Sequence, residues 1–155
     1  MKNLRVYLDT SVLSHLFADD TPEKMEHTKI IWEEFKSGKY EILISTTTLL
    51  EIEKCPEPKR NKIKSKLDEI EFQLLTANDE VRNLAKAYLK NGVLTPHSHD
   101  DCMHIAFAVV ANCDIIFSWN FKHLVNFKTV NKVKIVNALN GYREISIMPP
   151  TSEEV

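Results

Sequence analysis

The side chains that could do chemistry are oxygen-bearing ones placed at the ends of apolar runs. Asp9 directly follows Arg5-Val-Tyr-Leu8. Glu51 lies between Leu50 and Ile52, shortly after the apolar run Glu41-Ile-Leu-Ile-Ser45. Asp100 and Asp101 open a segment that is almost free of polar residues from Met103 to Ala111, and Asn120 closes Ile115-Ile-Phe-Ser-Trp-Asn120. A carboxylate beside a sheet core must be hydrogen-bonded, paired or metal-bound. Several together repel one another unless a cation neutralises them. An all-oxygen set suits Mg²⁺ or Mn²⁺, and Mg²⁺ keeps waters that can act as nucleophiles. Each residue also has a plainer reading. Asp9 can cap the helix behind it, Glu51 can be a solvated helix residue, and Asn120 can close a turn.

Whether these groups meet depends on the elements that carry them. Arg5–Leu8, Glu41–Ser45, Phe72–Leu75, Ile115–Phe117 and Ile145–Met148 read as short strands. Between them lie helical stretches: Thr10 to Phe17 with Thr10 as cap, Glu23 to Ser37, a helix capped among Thr46–Thr48, and a basic helix from Lys59. A further helix is capped by Asn78 or Asp79, and another begins at Asp100 or Asp101 and is buried nearly all round. Val125 to Leu139 reads as helix, although its Val-rich part, Val130 to Val136, also suits a strand. Strands alternating with helices predict an α/β fold: a three-layer sandwich with a central, mainly parallel sheet flanked by helices. Asp9, Asn120 and the Asp100/Asp101 helix start then converge on one sheet edge, where Glu51 joins them. Residues 1–150 read as one domain and 151–155 as a polar tail.

Composition narrows the class. The apolar (43%) and charged (27%) shares are those of a globular protein, and a net charge of -2 advertises no global basic field. Only three glycines argue against Gly-rich phosphate loops. Cys55, Cys102 and Cys113 lack paired metal spacing and read as free thiols of a reducing cytoplasm. No apolar run approaches membrane-spanning length. Lys59, Arg60, Lys62, Lys64 and Lys66 form either a phosphate-contacting ridge or a solvated face.

Four pieces in order resemble the PIN-domain ribonucleases, especially the small single-domain prokaryotic group that includes toxins of toxin–antitoxin pairs. They are Leu8-Asp9-Thr10-Ser11-Val12, Leu50-Glu51-Ile52, Asp101-x-x-His104-Ile-Ala-x-Ala108 and Asp114-Ile-Ile-Phe-Ser-Trp-Asn120-Phe-Lys-His-Leu. The likeness extends from Val6 to the Ile145–Pro150 end. It implies a PIN-like fold in which Asp9, Glu51 and Asp101 are the catalytic, metal-binding carboxylates, with Asp100 in second place. Position 120 is often a fourth acid in that family; Asn here implies a weaker hold on a second ion. The resemblance further implies Mg²⁺- or Mn²⁺-dependent hydrolysis of RNA by water attack, with no covalent enzyme intermediate. RNA, a small antitoxin protein and a second copy of the chain are the partners it suggests. Thr10 and Ser118 stand where they can hydrogen-bond the carboxylates. His104, one turn after Asp101, either orients it or is satisfied in the core.

Parts of the same residues also fit other classes. His97-Ser-His99-Asp-Asp101-Cys102 comes within one residue of a His-x-His-x-Asp-His zinc-hydrolase signature, but such enzymes need a longer, β-rich chain with more downstream His. A haloacid-dehalogenase-like phosphatase needs a second Asp at position 11, which is Ser. A PIN-like module that only binds RNA or protein is the non-enzymatic alternative.

Overall fold

The computed structural model describes residues 3–151. The short apolar runs form strands β1 (Leu4–Leu8), β2 (Tyr40–Ser45), β3 (Gln73–Leu75), β4 (Ile115–Phe117) and β5 (Ser146–Met148). All four pairings are parallel, in the order β3-β2-β1-β4-β5. The helices are α1 (Thr10–His15), α2 (Pro22–Lys36), α3 (Thr46–Glu53), α4 (Lys59–Leu67), α5 (Asp79–Lys90), α6 (His99–Val110) and α7 (Phe127–Leu139), with a turn of 3-10 helix at Pro96–Ser98.

Strand alternation sends neighbouring side chains to opposite faces. Val6, Leu8, Ile42, Ile44, Ile115 and Phe117 pack with apolar residues of α1 to α4, including Leu13, Trp32 and Ile63. Tyr7, Leu43, Ile116 and Ile147 pack on the other face with α5, α6 and α7, including Tyr88, Phe107 and Val133. The sheet is therefore covered on both sides, as the unalternating Ile115-Ile-Phe run implied. From β1 the chain builds β2 and β3 to one side, then crosses to β4 and β5 on the other. The β1/β4 boundary is thus the switch point of the sheet, and open α/β sheets bind ligands at the carboxyl ends there.

Local details differ from the sequence reading in instructive ways. The N-cap of α1 is Asp9, not Thr10, because the Asp9 carboxylate accepts the Ser11 amide. Ser45 caps α3 in place of the threonines. The α6 helix starts at His99 behind Ser98, so Asp100 and Asp101 occupy its first turn instead of capping it. Near-total burial of that helix holds from Cys102 to Val109. Leu50 is 63% exposed, so the inward face of α3 runs through Thr48 and Ile52. Val130 to Val136 is helical, since Thr129, Val133 and Val136 bury one face at helical spacing. In the basic α4, Arg60 pairs with Glu57, Lys64 with Glu53 and Lys66 with Glu69, while Lys59 and Lys62 form no ion pair among the described residues. Of the polar tail, residues 152–155 lie outside the described residues.

Asn78 caps α5 by accepting the Val81 amide at 2.9 Å. Asn78→Ala leaves that donor without its partner and is expected to cost about 1 kcal/mol. Thermal denaturation should show a fall of roughly 3 °C.

Candidate active site

Asp9 lies where β1 ends and α1 begins, at the switch point. Its Oδ1 accepts from the Ser11 amide (3.0 Å) and the Ser11 hydroxyl (2.5 Å), and its Oδ2 from the Ser118 hydroxyl (2.5 Å). The two serine oxygens in turn accept the amides of Trp119 and Asn120. The carboxylate of one strand end is thereby tied to the loop leaving the next strand. Asp9 is buried, and burial pushes its carboxyl above the usual range. The charge of His104, the Ser11 and Ser118 hydroxyls and the Val12 amide work against that shift.

Glu51 comes from α3. Its Oε1 accepts from Thr10 Oγ1 and from His104 Nε2, both at 2.6 Å. Burial opposes its ionisation, but the hydrogen bond and charge of His104, with Thr10 and Lys54, hold its carboxyl below the ordinary value. His104 is buried and lies 2.5 Å from the Tyr7 hydroxyl through Nδ1, and that hydroxyl lies 2.7 Å from Ser45 Oγ. Burial disfavours the imidazolium. The hydrogen bond from His104 to Glu51 and the charges of Asp9, Glu51 and Asp101 outweigh it and raise the His104 pKa. His104 thus bridges Glu51 on one ring nitrogen and Tyr7 on the other, and Tyr7 continues the chain to Ser45.

Asp101, in the first turn of α6, is bound at Oδ2 by His123 Nδ1 (2.9 Å). Asn120 Oδ1 accepts the His123 amide at 2.9 Å, and its backbone oxygen accepts the amides of Leu124 and Val125. Asn120 thus shapes the turn that presents His123 to Asp101. Asp100 is exposed and faces only His99, at 3.7 Å, so it is not brought to the other acids. His97 and His99 are exposed while Cys102 is buried, its thiol pushed up to about 12 by burial, with the nearby Asp101 charge adding to the shift. That separation removes the zinc-hydrolase arrangement.

Tyr7, Ser11, Ser45 and His123 were missed by sequence reasoning. Ser11 had a usable signal, since a hydroxyl two residues after an N-cap Asp can reach back to it. Tyr7 and His123 had none, because their partners lie 97 and 22 residues away.

Among the described residues, no three His, Cys, Asp or Glu side chains form a ready-made metal cluster. The donor chemistry nevertheless fits a hard divalent ion. No described side chain or backbone group donates a hydrogen bond to Glu51 Oε2 or Asp101 Oδ1. Mg²⁺ is commonly held by one or two carboxylates plus waters and phosphate oxygens, without a closed protein cage.

Residues 6–123 match the PIN domain family, and the chain belongs to it. No curated protein sequence matches it. Two solved structures share the fold at low identity. One is VapBC2 from Rickettsia felis bound to a DNA fragment from its promoter: 15% identity, TM-score 0.58, covering 94% of this chain and 98% of that one. The other is VapC20 from Mycobacterium tuberculosis, described as a sarcin-ricin loop cleaving toxin: 12% identity, TM-score 0.58, covering 76% of this chain and 92% of that one.

Proposed function

We propose that this chain is a metal-dependent ribonuclease that hydrolyses RNA phosphodiester bonds, acting as the toxin of a toxin–antitoxin pair. The observation that carries the reading is the hydrogen-bond network at the carboxyl ends of β1 and β4, where Ser11 and Ser118 hold Asp9, and Thr10 and His104, the latter on the helix of Asp101, hold Glu51. Family membership and the likeness to an RNA-cleaving toxin support it. Asp9, Glu51 and Asp101, with Asn120 beside them, would hold Mg²⁺ or Mn²⁺. Such an ion supplies Lewis-acid stabilisation of phosphate charge and a more acidic water. The remaining work belongs to the chain. Ser11 and Ser118 fix both oxygens of Asp9, Thr10 and His104 aim Glu51, and His123 fixes one oxygen of Asp101.

A small antitoxin is the partner this reading calls for, with an Arg reaching the carboxylates as its anchor. A cytoplasmic setting fits the three free thiols. No described helix is long and apolar enough to cross a membrane. An inactive PIN-like module that binds RNA or protein is the second reading, favoured because Glu51 Oε1 is already taken by His104 and Thr10.

An RNA cleavage assay separates the two. The purified protein should cut with Mn²⁺, stop in EDTA and recover when Mn²⁺ is restored. Absence of cleavage at any Mn²⁺ concentration favours the inactive module. Asn120→Asp adds a charged oxygen at nearly constant size and should tighten Mn²⁺ binding in calorimetry. Unchanged affinity and stoichiometry would leave Asn120 with its turn-forming role alone.

A further inference from the structure

A groove of about 650 Å³ opens beside Asp101 and His123, between the segment after α5 and the loop leading into α7. That volume lies within the roughly 300–1,000 Å³ of ligand sites. Its wall includes Thr95, Pro96, Phe121, Lys122, His123 and Lys128, and no Asp or Glu lines it. In a chain of net charge -2, a groove with cations and no acids, next to an acidic site, is a marked separation of charge. Neither Lys122 nor Lys128 forms an ion pair among the described residues, so both ammonium groups are open to a phosphate. Phe121 is 44% exposed, and the Lys24 ammonium lies 5.0 Å from its ring centre. The loop carrying it is braced by Asn126, whose Nδ2 donates to the backbone oxygens of Phe121 (3.0 Å) and Lys122 (3.1 Å).

We infer that this groove is the path of an unpaired RNA strand, with Phe121 as the stacking platform for one base and Lys122 and Lys128 as phosphate contacts. The inference rests on the ribonuclease reading and extends it to how the strand is held. An aromatic face with adjacent cations suits a single strand, because every base has a π-face and every linkage a charge. A duplex keeps its bases stacked on one another and gains nothing from Phe121. His123 belongs to the groove wall and also binds Asp101, so a strand lying in the groove delivers a phosphate to the carboxylates.

The test measures binding in EDTA, where cleavage plays no part, using a short labelled single-stranded RNA and a blunt duplex of the same sequence. Phe121→Ala should weaken single-strand binding about 5- to 150-fold. It should leave duplex binding unaltered, and Phe121→Trp should restore single-strand affinity. Lys122→Ala with Lys128→Ala should make the salt dependence of single-strand binding shallower by about 1.4 in log–log slope, the value for two phosphate contacts. Lys59→Ala with Lys62→Ala on α4 should change neither. Parental affinity and slope in the groove variants, an equal loss from the α4 pair, or displacement of RNA by a polyglutamate peptide of matched charge overturns the groove assignment. So does a parental protein with no measurable RNA affinity. Cleavage with Mn²⁺ that persists in such a case keeps the ribonuclease reading. Groove-dependent binding without any cleavage supports the strand path and refutes the nuclease.

Discussion

Asp9→Asn and Asp101→Asn should each reduce RNA cleavage about 100-fold or more while the protein stays folded. For Asp101 the change removes a charge beside His123 on a partly exposed side chain, with little packing at stake. For Asp9 the reasoning goes further. Burial already pushes its carboxyl toward the neutral form, so a neutral amide removes a charge that folding had to desolvate. Asn keeps an oxygen for the Ser11 donors but points an NH₂ at Ser118, whose hydroxyl already accepts the Asn120 amide. The strand-end loop therefore loses its donor–acceptor order, while the core beneath it is untouched. Circular dichroism and a melting temperature within a few degrees of the parent would establish the fold, and a gel assay with Mn²⁺ the activity. Near-parental cleavage by both variants would sink the assignment of these acids.

The second large effect concerns stability. His104→Leu deletes the buried imidazole bound to Glu51 and Tyr7, so the Glu51 carboxylate loses its hydrogen-bond partner and the buried Tyr7 hydroxyl loses one of its own. Removing one partner of a buried pair typically costs 3–5 kcal/mol, and the partial exposure of Glu51 places this case near the low end, about 3 kcal/mol. Urea unfolding reads that figure directly. A double-mutant cycle identifies its cause. Glu51→Gln in the His104→Leu background removes an uncompensated carboxylate, so the double variant should be more stable than the sum of the singles by about 1–3 kcal/mol. Strict additivity would mean that the two side chains are neighbours without energetic coupling.

The candidate acids show how far the sequence could be read. Asp9 and Glu51 stood out as candidates because each borders an apolar run, and Asp101 because it opens one. The parallel sheet followed from alternating strand and helix patterns, and helix starts were legible to within a residue or two. The cap of α1 shifted from Thr10 to Asp9, since either residue type can accept an amide and only backbone geometry chooses between them.

His104 is the satisfied core histidine that one of its two sequence readings gave, but its partners were not legible. Its spacing from Asp101 suggested a link along one helix face, yet the ring turns to Glu51 on α3 and Tyr7 on β1. His123 serves Asp101 instead, and it is brought there by the turn that Asn120 braces. The sequence by itself determined which residues are polar where polarity is costly, and hence where a candidate site lies. Only the tertiary structure decided which donor answers which carboxylate, because hydrogen bonds across a sheet depend on register and helix rotation, which leave no periodic mark on the chain.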